Sequence, residues 1–206
     1  MVTKREAILQ IKVTLRGIRP PIWRRLEVPA SYSFWDVHVA IQDSMGWLDY
    51  HLHEFRVVPG PRRRSLLIGI PDEDAFVGQR PIQPGWEVPI LRYLSAKGAR
   101  AEYAYDFGDG WKHIIVVEDV LPRVPGATYP RCVGGRRKCP PEDVGGVWGY
   151  EQFLSALADP THEEHESYLT WVGGSYDPDG FDARAVRFDD PEKRWRIAFL
   201  DEDEDE

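Results

Sequence analysis

Two aspartates and a histidine, Asp106, Asp109 and His113, crowd a segment reading YDFGDGWKH, and both cysteines, Cys132 and Cys139, precede Glu142 and Asp143 in a stretch reading CVGGRRKCPPEDVGGVWGY. With His51 and His53 these are metal-ligand types, and thiolate with imidazole suits zinc. The candidate ligands are therefore His51, His53, Asp106, Asp109, Cys132 and Cys139, and a divalent metal is the cofactor they could take. Spacing argues against a zinc knuckle, because six residues separate the cysteines where knuckles place about two to four. The alternative is that Asp109 serves a turn while Asp106, His113 and Glu142 tie a loop to a hairpin by hydrogen bonds. A Cys132–Cys139 disulfide is feasible in geometry but opposed by a reducing cytoplasm.

Other motifs carry less. His162-Glu163-Glu164-His165-Glu166 sets its histidines three apart, whereas a metalloprotease helix needs them four apart with the glutamate directly after the first. It reads as a polar helix face with His165 leaning inward. Arg62-Arg63-Arg64 and Arg136-Arg137-Lys138 beside glycine-rich backbone could hold phosphates. Asp177-Pro178-Asp179-Gly180-Phe181-Asp182 lacks the length and terminal glutamate of an EF-hand and reads as a turn. There is no phosphate loop with its lysine, dinucleotide fingerprint or serine nucleophile elbow.

These residues must be positioned by a chain of 206 residues with 42% hydrophobic and 12% aromatic content, enough for a good-sized core in one domain. The net charge of −8 is mostly the all-acidic tail, Asp201 to Glu206; without it the balance is 26 basic against 28 acidic groups. A nearly neutral body lacks the broad basic footprint of a nucleic-acid binder. No apolar run suits a membrane span or signal peptide, and a cytoplasmic protein is expected.

Alternation of Leu9, Ile11, Val13 and Leu15 with polar residues predicts a half-buried strand over Ala7 to Arg16, and Ile22 to Val28 predicts its antiparallel partner. Ser33 with Asp36 predicts a helix start, Phe34, Val37, Ile41 and Met45 one buried stripe, and Gly46 the stop. His51 to Val58 leads into a third strand, and Leu66 to Ile70 is expected as a fourth short one. Pro71 to Pro89 has no usable period, and Val88 to Ser95 is a short strand or helical turn. Ala101 to Phe107 and Trp111 to Val117, joined by Gly108-Asp109-Gly110, are the clearest hairpin. Tyr150, Phe153, Leu154 and Leu157 predict a helix, Asp159-Pro160 the start of another, and Gly173-Gly174 its end; beyond lie turns with short helical options. The fold class is α+β, a mixed or mostly antiparallel sheet with packed helices and a β-β-α-β start, over residues 1–188, with 189–206 an extension ending in the acidic tail.

Five ordered blocks carry a family resemblance: Ile18-Arg19-Pro20-Pro21-Ile22-Trp23-Arg24-Arg25; Met45-Gly46-Trp47 with His51-Leu52-His53-Glu54-Phe55; Tyr105 through Trp111 with His113; Cys139 through Gly146; and Trp171-Val172-Gly173-Gly174. Together they resemble the plasmid pRiA4b ORF-3-like family, from about Ile8 to Asp182. The resemblance implies an α+β domain of bacteria and archaea, often linked to plasmids and mobile elements, and no activity. Pro59 to Gly85 and the chain beyond Phe188 look individual to this protein.

The leading expectation is a non-enzymatic binding or accessory module for a protein or nucleic-acid partner, with Trp111, Arg136, Arg137, Glu142, Asp143 and Trp148 on its recognition surface. The alternative is a metal-dependent phosphodiester hydrolase, in which Asp106, Asp109, Glu142 and Asp143 hold the ion, His113 is the general base and Asp109 a second catalytic candidate. Either way Cys132 to Tyr150, with five glycines, needs anchors to offset its ordering entropy. Trp148 is expected to pack on the hairpin, Glu142 or Asp143 to bond loop amides, and both cysteines to approach Asp109.

Overall fold

In β1 (Ile8–Leu15) Leu9, Ile11, Val13 and Leu15 are buried while Gln10, Lys12 and Thr14 stay partly exposed, as a sheet with one covered face requires. Gly17, in the left-handed region at φ 85°, helps return the chain into β2 (Trp23–Pro29), antiparallel to β1 with Lys12 opposite Arg25. The helix α1 (Phe34–Met45) opens on the capping box: Asp36 N–H donates to Ser33 Oγ at 3.2 Å and Ser33 N–H to Asp36 Oδ2 at 2.8 Å. Gly46, at φ 84°, ends it.

The computed structural model describes residues 6–58, 64–71 and 80–200; Arg62, Arg63 and the acidic tail lie outside them. Six further strands follow: β3 (His53–Val57), β4 (Leu66–Gly69), β5 (Ile82–Pro84), β6 (Arg100–Tyr105), β7 (Trp111–Leu121) and β8 (Arg131–Arg136). They form one eight-stranded sheet in the order β5-β4-β3-β6-β7-β1-β2-β8. Neighbours pair antiparallel except β4 with β5, so the sheet is mixed and mostly antiparallel. The expected β-β-α-β start is present, and α1 lies against β2, β4 and a short 3-10 turn at residues 85–87.

Four departures from the sequence reading each have a physical cause. The stretch from Cys132 to Tyr150 is not all loop: its start lies in β8 and its end in α2 (Gly146–Ala158). Gly135 pairs with Arg24 of β2 and must be glycine there, because a Cβ would meet the Phe181 ring at 2.2 Å. The segment without a period contains β5, held by pairing with β4 alone. No helix starts at Pro160; Asp159 Oδ1 accepts from Thr161 N–H and Oγ1 and closes a turn, and α3 begins later (His165–Trp171). Finally α4 (Pro191–Phe199) is a full helix, with proline in its first turn and the Asp190 carboxylate accepting from Glu192 N–H. It packs on α1, where Trp35 Nε1 donates to Pro191 O at 2.9 Å and Arg194 Nη2 to Asp43 Oδ1 at 2.7 Å.

Candidate functional site

Strand register places the last residue of β8, Arg136, opposite Trp23, and Leu15 of β1 opposite His113 of β7. The β6–β7 hairpin tip and the end of β8 therefore lie at the same end of the sheet, about three strand spacings or roughly 14 Å apart. Residues 137–145 cross that end on side-chain anchors. Arg137 is buried, donating from Nε to Asp179 Oδ1 and from Nη1 to Pro20 O, both at 2.9 Å. Tyr176 donates its hydroxyl to Cys139 O at 2.8 Å, and Trp47 Nε1 donates to Pro140 O at 3.0 Å. The crossing ends at the hairpin tip, where Gly145 N–H donates to Asp109 Oδ2 at 3.1 Å.

Gly146 makes the closest approach there: its φ is 69°, and a Cβ would sit 2.3 Å from Asp109 O. Gly146→Ala should thus combine backbone strain with a clash against main chain, destabilising the fold by about 2–3 kcal/mol. Urea denaturation checks this, and an unchanged midpoint would contradict the packing described.

A third segment, residues 46–52, completes the junction. Leu48 N–H donates to Glu142 Oε2 at 2.6 Å, Tyr50 N–H to the Tyr105 hydroxyl at 3.1 Å, and Tyr105 donates that hydroxyl to Glu142 Oε1. Asp106 N–H donates to Leu52 O at 3.0 Å. Asp106 itself sits at φ 52°, and its Oδ1 accepts from Gly108 and Asp109 N–H, a turn that short carboxylates favour. Its Oδ2 faces His51, whose Nε2 lies 3.7 Å from Asp106 Oδ2 and 2.8 Å from Asp143 Oδ1.

The loop does reach the hairpin tip, but several side chains fall elsewhere than expected. Trp148 is 72% exposed rather than packed on the hairpin, because the close Gly146 contact starts α2 with this position turned to solvent. Trp111 is the buried one, lying 5.9 Å from the Trp47 ring. Glu142 and Asp143 bond the 46–52 segment instead of loop amides. His113 is fully buried beneath Trp47 and Tyr103, and burial pushes its pKa down to about 3. It cannot meet a substrate at the tip as a general base.

His53 is also buried, stacked on His38 of α1 with ring centroids 3.5 Å apart. Neither cysteine joins the cluster: Cys132 lies inside β8 with its thiol on Gly134 O, and Cys139 is buried, its thiol pushed up to about 12. Both are free. Of the arginine pair, Arg137 is committed to Asp179, and Arg136 alone is exposed.

Residues 48 to 53, LDYHLH, show an inversion. Alternation usually turns the apolar set inward, yet here Asp49, His51 and His53 turn toward the protein while Leu48, Tyr50 and Leu52 are exposed. Phe107 at the hairpin tip and Trp148 are exposed at the same end of the sheet. The sequence signal was present in this alternation, but its sense depends on Glu142 and Tyr105, which hold the segment from outside it.

Fold and site together define an α+β domain that gathers a histidine, four carboxylates and exposed apolar side chains at one end of a mixed sheet. The model of the plasmid pRiA4b ORF-3-like protein family matches residues 7–185, and the chain belongs to that family. It is 40% identical over 183 residues to the uncharacterized protein y4hQ of Sinorhizobium fredii, covering 88% of this chain and 87% of that one. The crystal structure of a protein of unknown function, MM3350 from Methanosarcina mazei Go1, superposes with a TM-score of 0.80 at 42% identity, over 89% of this chain and 99% of the other. No helix among the described residues is long and apolar enough to cross a membrane.

Proposed function

We propose that this protein is a non-enzymatic binding module whose partner is a polypeptide segment carrying cationic and apolar side chains. The observation that carries the reading is the outward set Leu48, Tyr50 and Leu52, with Phe107 and Trp148, at the end of the sheet that carries the exposed Asp143 and the partly exposed Asp109 and Glu142. Apolar groups exposed together favour a macromolecular contact, and the carboxylates supply complementarity to lysine or arginine. The same carboxylates would repel nucleic-acid phosphates, and Arg137 is already paired within the fold.

The test is fluorescence anisotropy with an octapeptide alternating arginine with leucine and tryptophan, and a control with glutamate in place of arginine. The arginine peptide should bind at least about tenfold more tightly than the control, and Tyr50→Ala with Trp148→Ala should weaken it by about tenfold or more. Equal binding of both peptides, or binding indifferent to the two substitutions, would remove the reading.

A further inference from the structure

We propose that His51, Asp106 and Asp143 form a site for one first-row divalent transition-metal ion, of the zinc or manganese class. Each residue offers one donor atom, and the three lie within 4.8 Å of one another. Ion-to-ligand bonds of about 2.0–2.2 Å would fit between them after small side-chain movements.

Asp106 supplies the observation that separates this from a chance meeting of surface acids. Its side chain is more than nine-tenths buried. Both tip amides are taken by Oδ1, while Oδ2 is turned toward His51 and accepts no hydrogen bond among the described residues. Held 3.7 Å from His51 Nε2, that oxygen is placed to coordinate a cation together with the imidazole. The opposite wall is the exposed Asp143, which leaves one side open for water or a ligand oxygen.

The donor set selects the ion. One imidazole with two carboxylates suits zinc, manganese or iron(II) better than magnesium or calcium, which prefer all-oxygen sites. Thiolate chemistry is not on offer, since the Cys139 thiol is buried and protonated and Cys132 lies in β8. The inference stands independently of the peptide reading. An ion here would nonetheless compete with a partner's cationic group for the same oxygens, so zinc should weaken the arginine peptide.

The experiment is calorimetric titration of the full chain, stripped with chelator and dialysed, with zinc, manganese or magnesium chloride. One equivalent of zinc should bind about a hundredfold more tightly than magnesium. His51→Gln, Asp106→Asn and Asp143→Asn should each weaken zinc by about tenfold or more, while His162→Gln should not. Asp143 is exposed, so its substitution tests the site even if Asp106→Asn disturbs the tip; circular dichroism verifies folding. Zinc no tighter than magnesium, or affinity unchanged in His51→Gln and Asp143→Asn, would overturn the proposal. Peptide binding measured in chelator separates that failure from failure of the binding-module reading.

Discussion

At pH 5 the fold should be less stable than at neutral pH, with His113 alone contributing about 2 kcal/mol of the loss. Burial lowers the pKa of His38, His53 and His113, the last to about 3. The unfolded chain takes up protons below about 6.5 that the folded chain refuses, so stability is full above that pH and lost as pH falls. For His113 alone the loss between pH 6.5 and 5 is about 2 kcal/mol, and the stacked pair His38 and His53 adds in the same direction.

Asp49, 2.8 Å from His38 Nε2, opposes this trend. Burial raises its pKa to about 6, so the folded state holds that proton more tightly and gains as pH falls from 6 towards 4. Its offset at pH 5 is about 1 kcal/mol, too small to reverse the histidines. Urea titrations at pH 7 and pH 5 measure the difference, and His113→Phe should recover about 2 kcal/mol of it. Equal stability at the two pH values would contradict the burial of these rings.

Arg24→Met should destabilise the protein by about 3–5 kcal/mol. Arg24 is buried in the sheet, donating from Nε to Ser44 O at 2.7 Å and from Nη1 to Trp23 O, Arg136 O and Arg137 O at 3.0, 3.2 and 2.9 Å. Its guanidinium also lies 3.7 Å from the Phe181 ring centroid. One side chain therefore fastens the end of α1, the end of β8 and the 177–182 turn. Methionine fills part of the volume but leaves those carbonyls without their donor. Arg24→Lys should restore less than half the loss, because an ammonium lacks the planar fork and the stacking surface. Denaturant midpoints for the two variants decide it, and a loss below about 1 kcal/mol for methionine would show that the arginine is dispensable.

Local chemistry made much of the fold legible. The Leu9 to Leu15 alternation, the Ser33–Asp36 capping box and Gly46 are each decided within a few residues, and each appears as read. The Gly108-Asp109-Gly110 connection is present too, but Asp106 accepts its amides and Asp109 ties the loop to the hairpin, the reverse of the roles expected. What escaped depends on distant partners. Gly134 and Gly135 look like loop residues until β2 and Phe181 make them strand. α4 carries a local start signal, Asp190-Pro191, of the kind that starts no helix at Asp159-Pro160, and it differs in having Trp35 and Asp43 beneath it.

The site was legible in its parts and not in its orientation. His51, Asp106 and Asp143 were all candidate residues, but whether His113 or His51 faces the tip depends on strand phase at Trp111, which buries His113 with Tyr103. Trp111 and Trp148 exchanged their expected roles for a similar reason. The Gly146 approach to Asp109 sets the start of α2, and hence which way Trp148 points.

The central claim, that the end of the sheet formed by residues 46–52, the hairpin tip and the 137–149 crossing is the working surface, is tested most directly by NMR. Nitrogen-15 amide shifts of the full chain would be followed while the arginine-leucine-tryptophan peptide is added in chelator. The account predicts perturbations concentrated at residues 47–52, 105–110 and 142–149. Perturbations centred instead on the uncovered sheet face around Arg16, Arg56 and Lys112, or none at saturating peptide, would contradict it.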